Sequence, residues 1–450
     1  MSLVLAVSIA VLFAASERMV KDRAGLVLSR AYLGWWGLCL LASTLDPLGM
    51  DPVSPFTYGL LLLNVAAFTA GFVAVGRRRP LEAAGDVLGA LGQDARRLAG
   101  SRGTVLVLAA LLAYLLRYYL RYREVLGDLG PAEARNIRYS IGTLFGSAAE
   151  MLVFNYVAEA LAVGLAVGIA YALVLGSIRS WAFALAVADA VLFAGIGAGR
   201  TLVVQAGIFV LLLAMLRTAL GPAPGAPPPS GAGDDPAAPP RKSLLLFVGV
   251  PVVAMAALMV YLTFARLVDV ETGLDVARGG EMAGWAVEAL LYNVRSYAVG
   301  PFRALDQAVA HPLPFGLQFG RLTLAALDEL VGYPLRLLGY DYPIMNHVVG
   351  DRTQDVIFIG SGEFNALYTG VFRFYFDFGV AGVALFAFVL GALVRGASLR
   401  LQEAPSLATL AVLAFLFAVA LLSTQTWFLA SPSALVFLAG AALLHRPAAR

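Results

Sequence analysis

Long apolar runs separated by short polar stretches make up most of the chain. A helix needs about 17 to 25 mainly apolar residues to cross a bilayer. This pattern predicts spans at 26–45, 57–76, 103–120, 151–175, 180–198, 201–219, 244–265, 368–394, 405–423 and 431–445, with a shorter run at 2–15. We therefore predict an all-α polytopic integral membrane protein with about eleven transmembrane helices, in a range of about ten to thirteen.

The composition agrees with this prediction. Hydrophobic residues make up 60% of the 450 positions, charged residues make up only 14%, and the mean hydropathy is +0.81. A soluble chain of this length could not bury so much apolar surface. The segment from Ser2 to Ala15 has neither a basic start nor a cleavage site, so we expect a retained first helix and not a signal peptide.

Basic residues predict the orientation in the membrane. They cluster at 18–23, 77–102, 179, 217–242, 395–400 and 446. If the predicted helices alternate in direction, all of these clusters fall on one side, and an excess of Lys and Arg marks the cytoplasmic side. The N-terminus is therefore expected outside and the C-terminus in the cytoplasm.

The same topology divides the chain into two halves. Residues 1–220 form an N-terminal transmembrane half with an outer loop at 121–148, and residues 244–450 form a C-terminal half with a large outer loop at 266–368. Residues 221–243, rich in Pro and Gly, read as a flexible cytoplasmic linker. Within the large loop, 283–310 and 321–338 are amphipathic and are expected to lie as helices in the outer interface.

Outward-facing arginines are the first candidates for chemistry, because they break the trend of basic residues toward the cytoplasm. A guanidinium group binds phosphate with two parallel hydrogen bonds and keeps its proton. The alternative is that these arginines are interfacial anchors or pair with Glu288, Asp306, Asp328 or Asp351. The set consists of Arg135, Arg138, Arg200, Arg295, Arg303, Arg321, Arg336 and Arg352.

Candidates for proton transfer are Glu363, Asp351 and His347, since a carboxylate or an imidazole can take a proton from a reacting hydroxyl. Glu363 could instead be a carboxylate favoured by a helix N-terminus, and His347 could be a solvated loop histidine. Arg373 and Asp377 lie in the first turns of a membrane helix, where charge is costly and often functional. A structural pair at the i, i+4 spacing is the alternative.

Metal and nucleotide sites are not expected. The chain has one Cys and three His residues, without ligand spacing for a metal. Its Gly-rich runs do not follow a strand, so they do not predict a nucleotide-binding loop. We expect no cofactor and no nucleic-acid partner.

A block near the C-terminus resembles a known family. The string Asn365–x–x–Tyr368–Thr, followed by Tyr375–Phe–Asp–Phe–Gly–x–x–Gly382, resembles the last conserved block of Wzy-type O-antigen polymerases, the oligosaccharide repeat-unit polymerase family. Weaker similarity covers 197–201 and 292–306. The resemblance adds Asn365, Tyr368, Arg373 and Asp377 to the candidate substrate-binding residues.

The resemblance implies a GT-C-like glycosyltransferase of the bacterial inner membrane. Such an enzyme polymerises undecaprenyl-diphosphate-linked repeat units at the periplasmic face, without nucleotide or metal, and the lipid-linked glycan is both donor and acceptor. Membrane lipids and a chain-length regulator are further expected partners. Two alternatives remain open: a flippase or other transporter of the same lipid, and an O-antigen ligase, which uses the same donor with another acceptor.

Overall fold

A computed structural model describes residues 1–44, 51–76, 87–126, 144–175, 181–196, 200–220, 297–311, 316–353, 356–359, 362–365 and 368–444. The helices before the predicted linker are α1 (Ser2–Met19), α2 (Arg23–Ser43), α3 (Pro55–Ala74), α4 (Val87–Ala99), α5 (Arg102–Leu126), α6 (Ala148–Leu152), a π-helical turn (Val153–Ala158), α7 (Glu159–Leu175), α8 (Trp181–Gly195) and α9 (Arg200–Leu220).

Helices also dominate the part of the chain after the linker. They are α10 (297–310), α11 (Ala325–Leu337), α12 (Met345–Thr353), α13 (Gly370–Glu403), α14 (Leu407–Leu422), a 3₁₀ turn (Phe428–Ala430) and α15 (Pro432–Leu444). One antiparallel hairpin, β1 (Val356–Ile359) and β2 (Gly362–Asn365), lies between α12 and α13. This hairpin was not predicted from the hydrophobic pattern.

The helical, multi-pass membrane character of the predicted fold is confirmed. Seven of the described helices are long and apolar enough to cross a membrane: Ser2–Met19, Arg23–Ser43, Pro55–Ala74, Arg102–Val125, Ala148–Val174, Leu202–Leu220 and Gly370–Glu403. Three shorter apolar helices are Trp181–Gly195, Leu407–Leu422 and Pro432–Leu444. The predicted span at 244–265 lies outside the described residues, so the count of about eleven stays a prediction.

The chain divides into two compact units. Unit 1 contains residues 1–83, 291–404 and 415–443, and unit 2 contains residues 84–290, 405–414 and 444–450. Unit 1 thus brings helices from both ends of the sequence together. The predicted linker at 221–243 lies outside the described residues, and the division of the chain at that linker stays a prediction.

The centre of unit 1 is a close crossing of α3 and α13. A Cβ atom added at Gly391 would lie 2.0 Å from the backbone oxygen of Phe68, and one added at Gly71 would lie 1.9 Å from that of Phe388. Small residues allow membrane helices to approach at backbone distance. The two glycines therefore fix where α13 sits, and with it the polar residues at its start.

One end of unit 1 is held by a buried ion pair. Arg395 of α13 donates two hydrogen bonds to the carboxylate of Asp22, which also caps α2 by accepting from the amide of Gly25 at 2.9 Å. Gln402 donates a further bond to Asp22 at 3.1 Å. Burial alone would raise the pKa of Asp22, but the hydrogen bonds and charge of Arg395 outweigh it and lower the pKa to about 2.

Helix α13 is interrupted near its start. Phe378 has φ −141° and ψ 23°, and Gly379 has φ 63° and ψ −148°. A positive φ with this ψ is open almost only to glycine. The interruption divides α13 into a short first segment, which carries Arg373 and Asp377, and a long second segment.

Candidate functional site

A cluster of polar contacts in unit 1 surrounds the first segment of α13. Its centre is Asp377, whose side chain is fully buried. The carboxylate accepts hydrogen bonds from the backbone amides of Leu322 at 3.0 Å and Thr323 at 2.6 Å. Charge-assisted bonds to backbone amides compensate the loss of water around a buried carboxylate. Asp377 thus attaches the segment before α11 to α13.

Backbone bonds strengthen this attachment at the helix interruption. The amide of Gln318 donates to the carbonyl of Phe376 at 2.9 Å, and the amide of Phe319 donates to the carbonyl of Asp377 at 3.1 Å. These carbonyls lack an intrahelical partner where the helix stops. The unusual backbone at Gly379 is therefore matched by a loop that satisfies the exposed carbonyl groups.

Arg373, one turn before Asp377, has a guanidinium group that is only partly occupied. Its Nη1 atom donates to the backbone oxygen of Leu322 at 2.9 Å and to Oδ1 of Asn346 at 3.0 Å. Within the described part of the chain, its Nε and Nη2 atoms have no hydrogen-bond partner, and no ion pair joins Arg373 to Asp377. The i, i+4 pair considered from the sequence is absent because Asp377 faces the amides of the preceding segment.

Glu329 of α11 and His347 of α12 form a carboxylate–imidazole pair beside Arg373. Oε1 of Glu329 lies 3.8 Å from Nε2 of His347, and Tyr333 shares a hydrogen bond of 3.1 Å with the same nitrogen. Asn346 donates to Oε2 of Glu329 at 3.0 Å and so links this pair to Arg373. The His347 side chain is 40% exposed, against 10% for Glu329. An accessible imidazole backed by a carboxylate can exchange protons with a bound substrate.

A second carboxylate on α11, that of Asp328, is fully engaged. It accepts hydrogen bonds from Nε of Arg321 at 2.8 Å, from the hydroxyl of Tyr342 at 2.5 Å and from the amide of Met345 at 2.8 Å. Burial and the bond to Asp328 together raise the pKa of Tyr342. Nη2 of Arg321 donates to the backbone oxygen of Pro343 at 2.5 Å. Arg321 therefore pairs with Asp328, as the alternative to phosphate binding supposed, and fixes α12 against α11.

Arg303 lies apart from this cluster and is buried. Its guanidinium donates to the backbone oxygen of Asp51 at 2.9 Å and to that of Ser43 at 3.2 Å. Asp306 accepts from the hydroxyl groups of Ser54 and Thr57 at the start of α3. Arg303 therefore joins α10 to the end of α2 and to the connection between α2 and α3.

For several other predicted residues, the structure gives the helix or strand in which they lie. Glu363 and Asn365 lie on β2, opposite Phe358 and Val356 in the hairpin register. The interpretation of Glu363 as a helix N-terminal carboxylate is therefore wrong, since it lies on a strand before α13. Asp351 and Arg352 lie in the last turn of α12, and Arg200 begins α9. Arg135, Arg138 and Arg295 lie outside the described residues.

Two further candidate residues, Tyr368 and His347, are held by neighbouring side chains. Tyr368, just before α13, packs its ring against Phe372 with centroids 4.4 Å apart, and burial raises its pKa. His347 lies in α12 and contacts Tyr333, so it is not a solvated loop histidine. Both side chains are held by neighbours, which is a requirement for positioning a substrate.

Sequence reasoning missed three members of the cluster: Glu329, Tyr333 and Asn346. A signal was available for two of them. Glu329 and Tyr333 stand at the i, i+4 spacing on α11, so they share one face of the helix. Asn346 gives no such signal, because its role depends on contacts with α11 and α13 that only the fold establishes.

No group of three or more His, Cys, Asp or Glu side chains within the described ranges lies close enough to hold a metal ion. The site is therefore an arginine with two open donors next to a carboxylate–imidazole pair, a set suited to an anionic substrate that also exchanges a proton. No family model, curated protein or solved structure matches the chain.

Proposed function

We propose that the protein is a GT-C-like glycosyltransferase that polymerises undecaprenyl-diphosphate-linked oligosaccharide repeat units, of O-antigen or a related polysaccharide. The observation that carries the proposal is the placement of Arg373 beside Glu329 and His347. Arg373 is half-buried, and its Nε and Nη2 atoms have no hydrogen-bond partner among the described residues. The resemblance of residues 365–382 to the polymerase block supports it, because that block contains Arg373 and Asp377.

Arg373 is proposed to bind the diphosphate of the donor. The open Nε and Nη2 atoms form the edge of the guanidinium that fits two oxygen atoms of a phosphate group. Asp377 and Asn346 hold the surrounding elements in place, so the edge is positioned before substrate arrives. Preorganised positive charge of this kind stabilises the negative charge that develops on a leaving diphosphate.

His347 is proposed to act as the general base, with Glu329 as its positioning residue. The acceptor hydroxyl oxygen forms a bond to the anomeric carbon of the growing chain and gives its proton to His347. The bond from that carbon to the diphosphate oxygen breaks, and its electron pair leaves with the diphosphate. A positioned base contributes about 10²- to 10⁴-fold to such a reaction. Glu363 and Asp351 remain sequence-based candidates for the same proton transfer.

The setting proposed for this reaction is the outer face of the bacterial inner membrane. The N-terminus would lie outside, and about eleven helices would surround the prenyl tail. Donor and acceptor would both be lipid-linked glycans, and no nucleotide or metal cofactor is required by the proposal. The residues predicted for diphosphate binding in the outer loops, Arg135, Arg138 and Arg295, would add positive charge.

One observation favours the transporter alternative. Asp189 lies in the middle of α8, and polar residues inside spans are expected for transport. The ligase alternative shares the donor and differs in the acceptor. Both alternatives are separated from the polymerase by the same experiment.

The test is to incubate purified protein with its lipid-diphosphate repeat unit, without nucleotide and with EDTA, and to resolve the products by gel electrophoresis. The expected result is a ladder of repeat multiples that Arg373→Ala and His347→Gln lose. Arg30→Ala is the matched control, because Arg30 is exposed and, among the described residues, pairs only with Glu17. Movement of the lipid across proteoliposomes without a ladder would favour the transporter, and transfer only to a lipid A-type acceptor would favour the ligase.

A further inference from the structure

Unit 2 contains a buried aspartate that has no hydrogen-bond partner among the described residues. Asp189, on α8, is 0% exposed, and neither of its carboxylate oxygens is bonded to any group in the part of the chain that the structure describes. Asp377 in unit 1 is also fully buried, but two backbone amides bond to it. The surroundings of Asp377 thus stabilise an ionised carboxylate, whereas the described surroundings of Asp189 do not.

The helix face that carries Asp189 is turned toward the π-helical turn. Phe193 lies one turn further along α8, on the same face, and stacks on Phe154 with ring centroids 5.5 Å apart. Asn155, the next residue of the π-helical turn, is buried, and its Oδ1 atom also has no hydrogen-bond partner among the described residues. Turns of π-helix inside α-helices are frequent at functional sites.

Charge compensation for Asp189 is absent among the described residues. Helices α5, α7 and α9 pack against α8. None of the described titratable side chains on these helices or on the π-helical turn forms an ion pair or hydrogen bond with Asp189. On α5 these side chains are Arg102, Tyr114, Arg117, Tyr118, Tyr119, Arg121, Tyr122, Arg123 and Glu124; on α7 they are Glu159 and Tyr171; on α9 the described one is Arg217, and on the π-helical turn it is Tyr156.

An ionised carboxylate in this position would be a buried charge without partner or solvent. Transfer of such a charge from water into an apolar interior costs far more than transfer of the neutral acid, so the group takes up a proton instead. We propose that Asp189 is a proton-binding site inside the membrane part of unit 2, occupied at neutral pH. The proposal does not depend on glycosyl transfer, which uses residues of unit 1.

Infrared spectroscopy of the full-length protein tests the proposal. A protonated carboxylic acid has a C=O stretch separate from the amide and carboxylate bands. We expect such a band in the wild type at neutral pH, its loss in Asp189→Asn and its displacement in Asp189→Glu. Asp94→Asn is the matched control in unit 2, because Asp94 accepts a bond from the amide of Leu407 and should not contribute. Superimposable wild-type and Asp189→Asn spectra would overturn the proposal.

A second measurement needs only the wild type. Dicyclohexylcarbodiimide adds to protonated carboxyl groups in apolar surroundings and leaves a stable N-acylurea that mass spectrometry can locate. We expect the adduct at Asp189, forming more slowly as the pH rises. Adducts confined to other carboxylates would contradict the proposal. Protection of Asp189 by Na⁺ at constant pH would also contradict it, since the bound species would then be a metal cation.

Discussion

The buried pair of Asp22 and Arg395 gives the most quantitative prediction. Their side chains are 7% and 5% exposed, and each terminal nitrogen of Arg395 donates a hydrogen bond to the carboxylate. The pKa of Asp22 falls from its ordinary 3.8 to about 2. That difference corresponds to about 2 kcal/mol of stability after an allowance for screening by solvent.

Asp22→Asn is expected to lower the free energy of unfolding by more than the stability that the pKa change represents, because Arg395 is then charged and buried without a carboxylate partner. Removal of one partner of a buried pair costs about 3–5 kcal/mol. The double variant Asp22→Asn with Arg395→Met removes the unpaired charge as well, so we expect it to be more stable than Asp22→Asn alone. The free energy of unfolding in detergent micelles, followed by circular dichroism during denaturant titration, measures both effects.

The pH dependence follows from the direction of the pKa change. Because the pKa of Asp22 is lower in the folded state, its contribution is complete above about pH 4 and is lost as the pH falls from 3.8 to about 2. The exposed pair of Arg30 and Glu17 is the control, and Arg30→Ala should leave stability unchanged. A loss below about 1 kcal/mol for Asp22→Asn, or a double variant no more stable than the single one, would refute the reasoning.

Three other variants test the fold and the site. Gly391→Ala places a Cβ atom against the backbone of α3 and should lower stability by about 1–3 kcal/mol or more. Gly440→Ala is the control, because a Cβ atom added there meets no described atom within 4 Å, and thermal unfolding should show no loss of stability. Asp377→Asn should lower the free energy of unfolding by about 1.5–3 kcal/mol, because a charged hydrogen bond is lost. Hydrogen exchange should become faster at the backbone amides of Leu322 and Thr323, which donate to Asp377. Unchanged exchange would contradict the role of Asp377. His347→Gln should slow polymerisation by about 10²- to 10⁴-fold, and an unchanged rate or pH profile would exclude it as the base.

Much of the helical architecture could be predicted because bilayer length and hydropathy constrain it strongly. The predicted span at 368–394 corresponds to α13, which continues to Glu403 because its polar last turns are still helical. Its interruption at Gly379 was not predictable, since glycine is compatible with both positive and negative φ. The sequence alone does not indicate which value a glycine adopts.

The site was predictable only where contacts are local. The pairing of Arg321 with Asp328, seven residues later, was among the alternatives considered and is present. The partners of Asp377 are backbone amides more than fifty residues earlier in the chain, and hydrophobic periodicity carries no information about such contacts. The same holds for Asn346, which connects two helices that the sequence places far apart.

The central claim is that the open edge of Arg373 binds the diphosphate of a prenyl-linked substrate. Direct binding of undecaprenyl diphosphate and undecaprenyl monophosphate to the purified protein, by native mass spectrometry in micelles, tests it without any sugar. We expect the diphosphate to bind more tightly, and Arg373→Ala to raise its Kd about 10- to 100-fold, as loss of a charged hydrogen bond predicts. Arg373→Lys should restore part of the affinity, because it keeps the charge and loses the two-nitrogen edge. Equal affinity of wild type and Arg373→Ala for the diphosphate would contradict the account.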